Sequence, residues 1–131
     1  MYIDYDKRCN FDAITGKTVT EINGLTQGEG EATFICSDGS EFFMWHDQDC
    51  CESVTIDDVE GDIADLIGSP ITLAEESSSD ENPDGLPVPE YQDSFTWTFY
   101  RIATAKGFVV IRWYGESNGY YSEEVSFAKI K

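Results

Sequence analysis

The middle of this sequence has no basic residues. No lysine or arginine occurs between Lys17 and Arg101, and most of the acidic residues lie in that interval. Over its 131 residues the chain carries 26 acidic and 8 basic side chains, for a formal net charge of −18. Because such a charge repels nucleic-acid phosphates, we expect no direct nucleic-acid binding and favour a protein with a basic surface as the partner. The alternative is that the charge serves solubility alone.

Long apolar runs and a basic leader are also missing. No segment approaches the roughly 18 apolar residues of a membrane span. The first residues, Met1-Tyr2-Ile3-Asp4, have no basic region followed by an apolar run, so no signal peptide is indicated. We therefore expect a cytoplasmic protein in which the four cysteines are reduced thiols. A disulfide between the neighbours Cys50 and Cys51 is not expected, because it closes a strained eight-membered ring.

Recognisable catalytic motifs are absent. The G-x-S-x-G pattern of a nucleophile elbow occurs at 115–119, but no histidine follows it and a strand is predicted where a helix is required. The glycines form no phosphate-binding loop, and among so many carboxylates no catalytic pair stands out. These observations predict a protein that is not an enzyme and that carries no cofactor.

What the chain does contain is β-hairpin chemistry. Asp38-Gly39 and Asn118-Gly119 are turn dipeptides, and each separates segments rich in aromatic and β-branched residues. The segments with strand character are 18–22, 31–37, 40–46, 53–56, 70–74, 94–104, 108–115 and 120–129. From them we expect a mainly antiparallel sheet of about six to seven strands, with the long segments 94–104 and 108–115 at its centre.

One short helix is predicted near residues 57–67. Asp57 is a plausible N-cap, and the spacing of Val59, Ile63 and Leu66 places them on one helical face. The predicted fold class is therefore α+β, with a single domain over 1–131. Serine, proline and acidic residues dominate 77–93, which predicts an acidic mobile loop.

Three segments resemble a family of small, uncharacterised bacteriophage and prophage proteins, a domain of unknown function. They are His46-Asp-Gln-Asp-Cys-Cys-Glu52, Asp57-Asp-Val-Glu-Gly-Asp-Ile-Ala-Asp-Leu-Ile-Gly-Ser-Pro-Ile71, and Ile111-Arg-Trp-Tyr-Gly-Glu-Ser-Asn-Gly-Tyr-Tyr-Ser122. The resemblance covers most of residues 13–127. It implies a phage-encoded accessory protein in a bacterial host cytoplasm. The family brings no assigned activity, so no functional residue is carried over.

The leading functional hypothesis is a non-enzymatic protein that binds a basic host protein, in its most concrete form by mimicking the charge of DNA. The acidic residues flanking the predicted helix are the candidate binding residues: Asp47, Asp49, Asp57, Asp58, Glu60, Asp62 and Asp65. Two alternatives stay open. One is a zinc-stabilised protein with His46, Cys50 and Cys51 as metal ligands. The other is a small-ligand binder that uses the tyrosine and tryptophan surface.

Overall fold

The computed structural model describes residues 3–88 and 92–131, and within them the regular structure is almost wholly antiparallel β. The strands are β1 (Val19–Asn23), β2 (Glu31–Cys36), β3 (Glu41–Trp45), β4 (Ser53–Glu60), β5 (Leu73–Ser79), β6 (Ser94–Thr104), β7 (Gly107–Ser117) and β8 (Ser126–Lys129). Helical structure among these residues is limited to three 3₁₀ turns, at Tyr5–Lys7, Phe11–Ile14 and Ile63–Leu66. No helix in the described ranges is long and apolar enough to cross a bilayer.

The described residues form eight strands in two four-stranded sheets, where one sheet of six to seven strands was expected. The first has the order β1-β2-β3-β8 and the second the order β4-β7-β6-β5. The predicted strand 120–129 is reduced to Ser126–Lys129, which pairs with β3 and forms no hairpin with β7. Side chains of both sheets meet in one buried cluster, to which the first contributes Phe34 and Phe42 and the second contributes Ile111 and Trp113. The long strands β6 and β7 occupy the centre of the second sheet, as expected from their length and apolar content.

The predicted helix at 57–67 is wrong, and with it the α+β class: the protein is mostly β. β4 continues to Glu60 by pairing with β7, after a register irregularity between Ile56 and Asp58. Gly61 then turns the chain with φ of +104°, and only the 3₁₀ turn at Ile63–Leu66 follows. Pairing with the buried strand β7 stabilises residues 58–60 as strand. The helix propensity of this short segment, which contains Gly61, is too weak to compete.

The boundaries of the fifth strand also differ from the prediction. β5 does not cover 70–72 and extends to Ser79, because it pairs with β6 as far as Ser79↔Trp97. It therefore takes in the first part of the predicted 77–93 loop. Farther along that loop, Asn82 and Gln92 pack on the second sheet through hydrogen bonds with Trp97 and the Tyr114 hydroxyl. Residues 89–91 of this predicted mobile loop lie outside the described residues.

Candidate functional site

The connection between β3 and β4 is organised by the buried carboxylate of Glu52. Its Oε2 accepts hydrogen bonds from His46 Nε2 at 2.7 Å and from the Asp49 backbone N–H at 2.9 Å. Its Oε1 accepts from the Cys50 backbone N–H at 2.9 Å and from Gln48 Nε2 at 3.1 Å. Two backbone N–H groups and two side chains thus converge on one carboxylate, which fixes the loop from 46 to 52.

These hydrogen bonds set the ionisation of Glu52. Burial raises its pKa, but the N–H donors of Asp49 and Cys50, together with His46, outweigh burial and bring the pKa to about 2. Glu52 is therefore an anchor of the loop and offers no free charge to a partner.

His46 links this loop to the segment that precedes β8. Its Nδ1 lies 2.6 Å from the backbone carbonyl oxygen of Glu124, while Nε2 faces Glu52. The Glu124 carbonyl can only accept, so Nδ1 is the donor in that contact. The contact holds residues 122–125 in place, and these residues form one wall of the cleft described below.

The three predicted zinc ligands are not brought together as a ligand set. Both nitrogens of His46 are engaged by protein oxygens, and Cys50 and Cys51 form a disulfide. Within 3–88 and 92–131, no group of three or more metal-binding side chains is arranged to hold an ion. The expectation of four reduced thiols is wrong for Cys50 and Cys51, while Cys9 and Cys36 remain free thiols.

Three of the predicted partner-binding acids are engaged by arginine. Asp57 Oδ2 lies 2.6 Å and Asp58 Oδ2 lies 3.8 Å from Arg112 Nη2. Asp47 forms an ion pair with Arg8. These contacts neutralise much of the charge that the hypothesis assigned to them.

The other predicted acids do not share one helical face, because the helix does not form. The Asp62 carboxylate caps the 3₁₀ turn by accepting from the Ala64 backbone N–H at 3.0 Å. The side chain of Asp65 packs against Gly107. Asp49 lies in the loop before β4 and Glu60 is the last residue of β4, and both are exposed. The set is therefore dispersed over the surface.

An acidic cleft that the sequence analysis did not predict lies beside β5, the edge strand of the second sheet. It has a volume of about 380 Å³. Its walls come from β5, β6 and the segment before β8, and the lining residues are Glu76, Ser78, Thr96, Thr98, Ser122, Glu123, Glu124 and Val125. The hydroxyl and carboxyl groups among them make this cleft polar and negative.

The Tyr100 hydroxyl lies beside Glu76 at the base of this region. Glu76 and Tyr100 are register partners on β5 and β6, so their side chains project from the same face of the sheet. The Tyr100 ring is fully buried and packs edge-on against Phe11, with 4.8 Å between ring centroids. The Glu76 carboxyl is the neighbour of its hydroxyl.

The carboxylates of the cleft influence one another. Partial burial raises the pKa of Glu76, the neighbouring Tyr100 hydroxyl opposes this rise by donating to the carboxylate, and the charge of Glu124 adds to it. Burial and the charges of Glu76 and Glu124 raise the pKa of Tyr100 far above its ordinary value. Glu123, in contrast, is satisfied, because Thr96 Oγ1 donates to it at 2.8 Å and Ser117 Oγ at 2.5 Å. Among the described residues no lysine or arginine forms an ion pair with Glu76 or Glu124, although Arg8 lines an adjoining cavity with both and is itself paired with Asp47.

β5 presents a free edge beside this cleft. It is the last strand in the order of its sheet, and apart from the ladder with β6 its residues 75–79 make no backbone hydrogen bond within the described chain. A groove of about 560 Å³ runs along this edge. Glu75 and Glu76 line it on the strand side, and Asn10, Phe11 and Asp12 line it on the other.

The sequence carried only a weak signal for this cleft. Alternation along β6 places Tyr100 on the same face as Ile102 and Thr98, which could have marked a buried hydroxyl. Nothing local indicates that residues 122–125 approach Glu76, because that approach depends on the contact of His46 with Glu124.

Comparison with known proteins identifies a family whose function is unknown. The family described as "Domain of unknown function (DUF7448)" matches residues 12–127, which is most of the chain. No curated protein and no solved structure matches the sequence. The resemblance to an uncharacterised family is confirmed at this level, and the chain belongs to the DUF7448 family.

Proposed function

We propose that this protein is a non-enzymatic accessory protein that binds a partner protein with a basic surface. The observation that carries the proposal is the surplus of carboxylates that nothing neutralises. Within the described residues, ion pairs with lysine or arginine engage only Asp38, Glu41, Asp47, Asp57 and Asp58. Most acidic residues in the described ranges therefore have no lysine or arginine partner, and the exposed ones among them are available to a basic partner.

The surface that best supports this proposal is the β5 side of the second sheet. There Asp12, Glu75, Glu76 and Glu124 line adjoining cavities, whereas Asp57 and Asp58 of β4 are engaged by Arg112. In its most specific form, the proposal is that a phage-encoded protein occupies the nucleic-acid site of a host protein in the bacterial cytoplasm. The acidic surface then substitutes for DNA phosphates.

The test is capture of host proteins by the purified, immobilised full chain. A bacterial lysate is applied at low salt, and bound proteins are eluted with increasing NaCl and identified by mass spectrometry. We expect a basic, nucleic-acid-handling protein that is released by about 0.5 M NaCl and is displaced by duplex DNA at low salt. Capture that survives high salt, or that duplex DNA does not reduce, would contradict charge mimicry.

Two charge-matched variants locate the binding surface. The double substitution Glu75→Gln with Glu76→Gln removes two charges from the β5 side, and Glu21→Gln with Glu31→Gln removes two exposed charges from the first sheet. We expect the first variant to lower the captured amount at least severalfold and the second to have little effect. Equal losses would show that only net charge matters and would contradict the assignment to the β5 side.

A further inference from the structure

We propose that the free edge of β5 docks an extended segment of a basic partner, and that an arginine of this segment enters the cleft between Glu76 and Glu124. This inference rests on the proposed function, because it states how the basic partner is recognised. It adds a binding mode, a binding residue type and a defined set of contact residues.

The first argument is the state of the β5 edge. An edge strand with unpaired backbone groups can accept a further strand, and the main-chain hydrogen bonds then supply affinity while alternate side chains supply specificity. Residues 75–79 have this state within the described chain. The groove along the edge, about 560 Å³ in volume, has room for an additional strand.

The second argument is the alternation of side chains. On β5, Ala74, Glu76 and Ser78 face the same side of the sheet as Tyr100. Every second side chain of a strand added to this edge would face the same side. One of these side chains would therefore stand next to Glu76, at the mouth of the cleft.

The third argument is the chemistry of the cleft. A guanidinium has five N–H donors and needs acceptors. The cleft offers the carboxylates of Glu76 and Glu124, which form no ion pair with a described lysine or arginine, and the hydroxyl groups of Ser78 and Thr98. The Tyr100 hydroxyl is fully buried beside the Glu76 carboxyl and helps to hold that carboxyl at the cleft. An apolar side chain would leave these groups unsatisfied.

Protection of an edge against aggregation is the plain alternative, since charged residues on an edge strand discourage pairing. It accounts for Glu75, whose register partner Arg101 lies on the outer face of the sheet. It does not account for Glu76, whose side chain projects beside the buried Tyr100 hydroxyl and lines a cleft together with Glu124.

The experiment uses the ¹⁵N-labelled full chain and short synthetic peptides. The probe is a peptide of alternating threonine and valine with one central arginine, and the matched probes carry lysine or citrulline at that position. Citrulline keeps the shape of arginine without its charge. We expect amide shifts concentrated at residues 75–79 and 122–125, with affinity in the order arginine, lysine, citrulline. Shifts located elsewhere, equal binding of the citrulline peptide, or no binding at millimolar peptide would overturn the inference.

Three single substitutions test the cleft itself. We expect Glu76→Gln to weaken binding of the arginine peptide about tenfold or more, and Tyr100→Phe to weaken it severalfold. Glu75→Gln removes the same charge from the neighbouring, outward-facing position and should change affinity less than about twofold. Equal effects of E75Q and E76Q would show that the peptide senses only overall charge.

The two proposals fail separately. If E76Q and Y100F capture the host protein as well as the unmodified chain does, and capture remains salt-sensitive, then this binding mode is wrong while the proposed function stands. If the unmodified chain shows no salt-sensitive capture, the proposed function is wrong as well.

Discussion

At the scale of single residues, Glu52 shows how a sequence motif is resolved by its surroundings. The run from His46 to Glu52 has histidine, cysteine and carboxylate groups, the usual components of a metal site. In the folded chain its carboxylate accepts from His46 and from two backbone N–H groups. The motif therefore builds a loop, and through the carbonyl of Glu124 it also positions one wall of the cleft.

Replacing Glu52 should destabilise the protein. Glu52→Gln leaves donors of His46, Asp49 and Cys50 poorly satisfied in a buried place, so we expect the melting temperature at pH 7 to fall by roughly 5 °C or more. Asp49→Asn, in the same loop but exposed, is the control and should shift it by about 1 °C or less. Thermal denaturation followed by circular dichroism measures both, and equal shifts would show that Glu52 is not the anchor.

The same pair of proteins gives a pH dependence. The pKa of Glu52 falls from 4.5 to about 2 on folding, so its carboxylate stabilises the folded state above pH 4.5. This contribution is lost as the pH falls through about 2. We therefore expect the difference in melting temperature between the unmodified protein and E52Q to shrink as the pH is lowered from 5 toward 2. A difference that is independent of pH would contradict the role of the ionised carboxylate.

The four cysteines should differ in their rates of alkylation. Without reductant, Cys50 and Cys51 should resist iodoacetamide because they are paired, and Cys36 should react slowly because burial raises its pKa. After mild reduction, the exposed Cys50 and Cys51 should be alkylated well before Cys36. Peptide mass spectrometry gives the order. Alkylation of Cys50 and Cys51 without reductant would contradict the disulfide.

At the scale of elements, the segment after Ile56 shows pairing overriding local propensity. The apolar positions Val59, Ile63 and Leu66 fit a helical face. Val59 nevertheless pairs with Ile111 of β7, and Ile63 and Leu66 belong to a 3₁₀ turn. A short amphipathic pattern fits a helix and also a strand followed by a turn. The partner strand decides between them.

Substitution of Gly61 distinguishes the two structures by the sign of the effect. With φ of +104° and the Phe108 carbonyl oxygen 2.6 Å from an added Cβ, Gly61→Ala should lower the free energy of unfolding by roughly 3 kcal/mol. In a helix the same change would raise stability by about 1 kcal/mol. Gly39→Ala is the control: φ is +88° with nothing within 4 Å of the added Cβ, and a cost of about 1 kcal/mol is expected. Urea denaturation of the unmodified protein and both variants measures the free energy of unfolding. An increase in G61A would contradict the observed turn and support the predicted helix at 57–67.

At the scale of the whole molecule, the large negative net charge affects both stability and binding. With a net charge of −18 and few ion pairs in the part of the chain that the structure describes, the folded protein repels itself. The apolar core between the two sheets holds it together, and dissolved cations screen the surface. A bound basic partner would relieve the same repulsion, which ties the stability of this protein to its proposed function.

Salt should therefore stabilise the protein. We expect the melting temperature to rise by several degrees between about 0.02 M and 0.5 M NaCl, because screening weakens repulsion among the carboxylates. Calorimetry at pH 7 measures it, with glycerol at equal osmolality as a control for general solvent effects. A melting temperature that stays constant or falls as NaCl is added would show that self-repulsion does not limit stability.

The linear sequence determined the hairpin at Asp38-Gly39, the central place of β6 and β7, and the acidity, because alternation and composition are local properties. It did not determine the strand that follows Asn118-Gly119, because β8 pairs with the distant β3. Tertiary structure decided the rest. Whether residues 57–60 form helix or strand depended on β7. The splitting into two sheets depended on which strands pair. The cleft depended on residues far apart in sequence, since Glu76 and Glu124 become neighbours of Tyr100 only after the sheets have formed. Local properties follow from neighbouring residues in the sequence. Pairing of distant strands is decided only by the free energy of the whole folded chain.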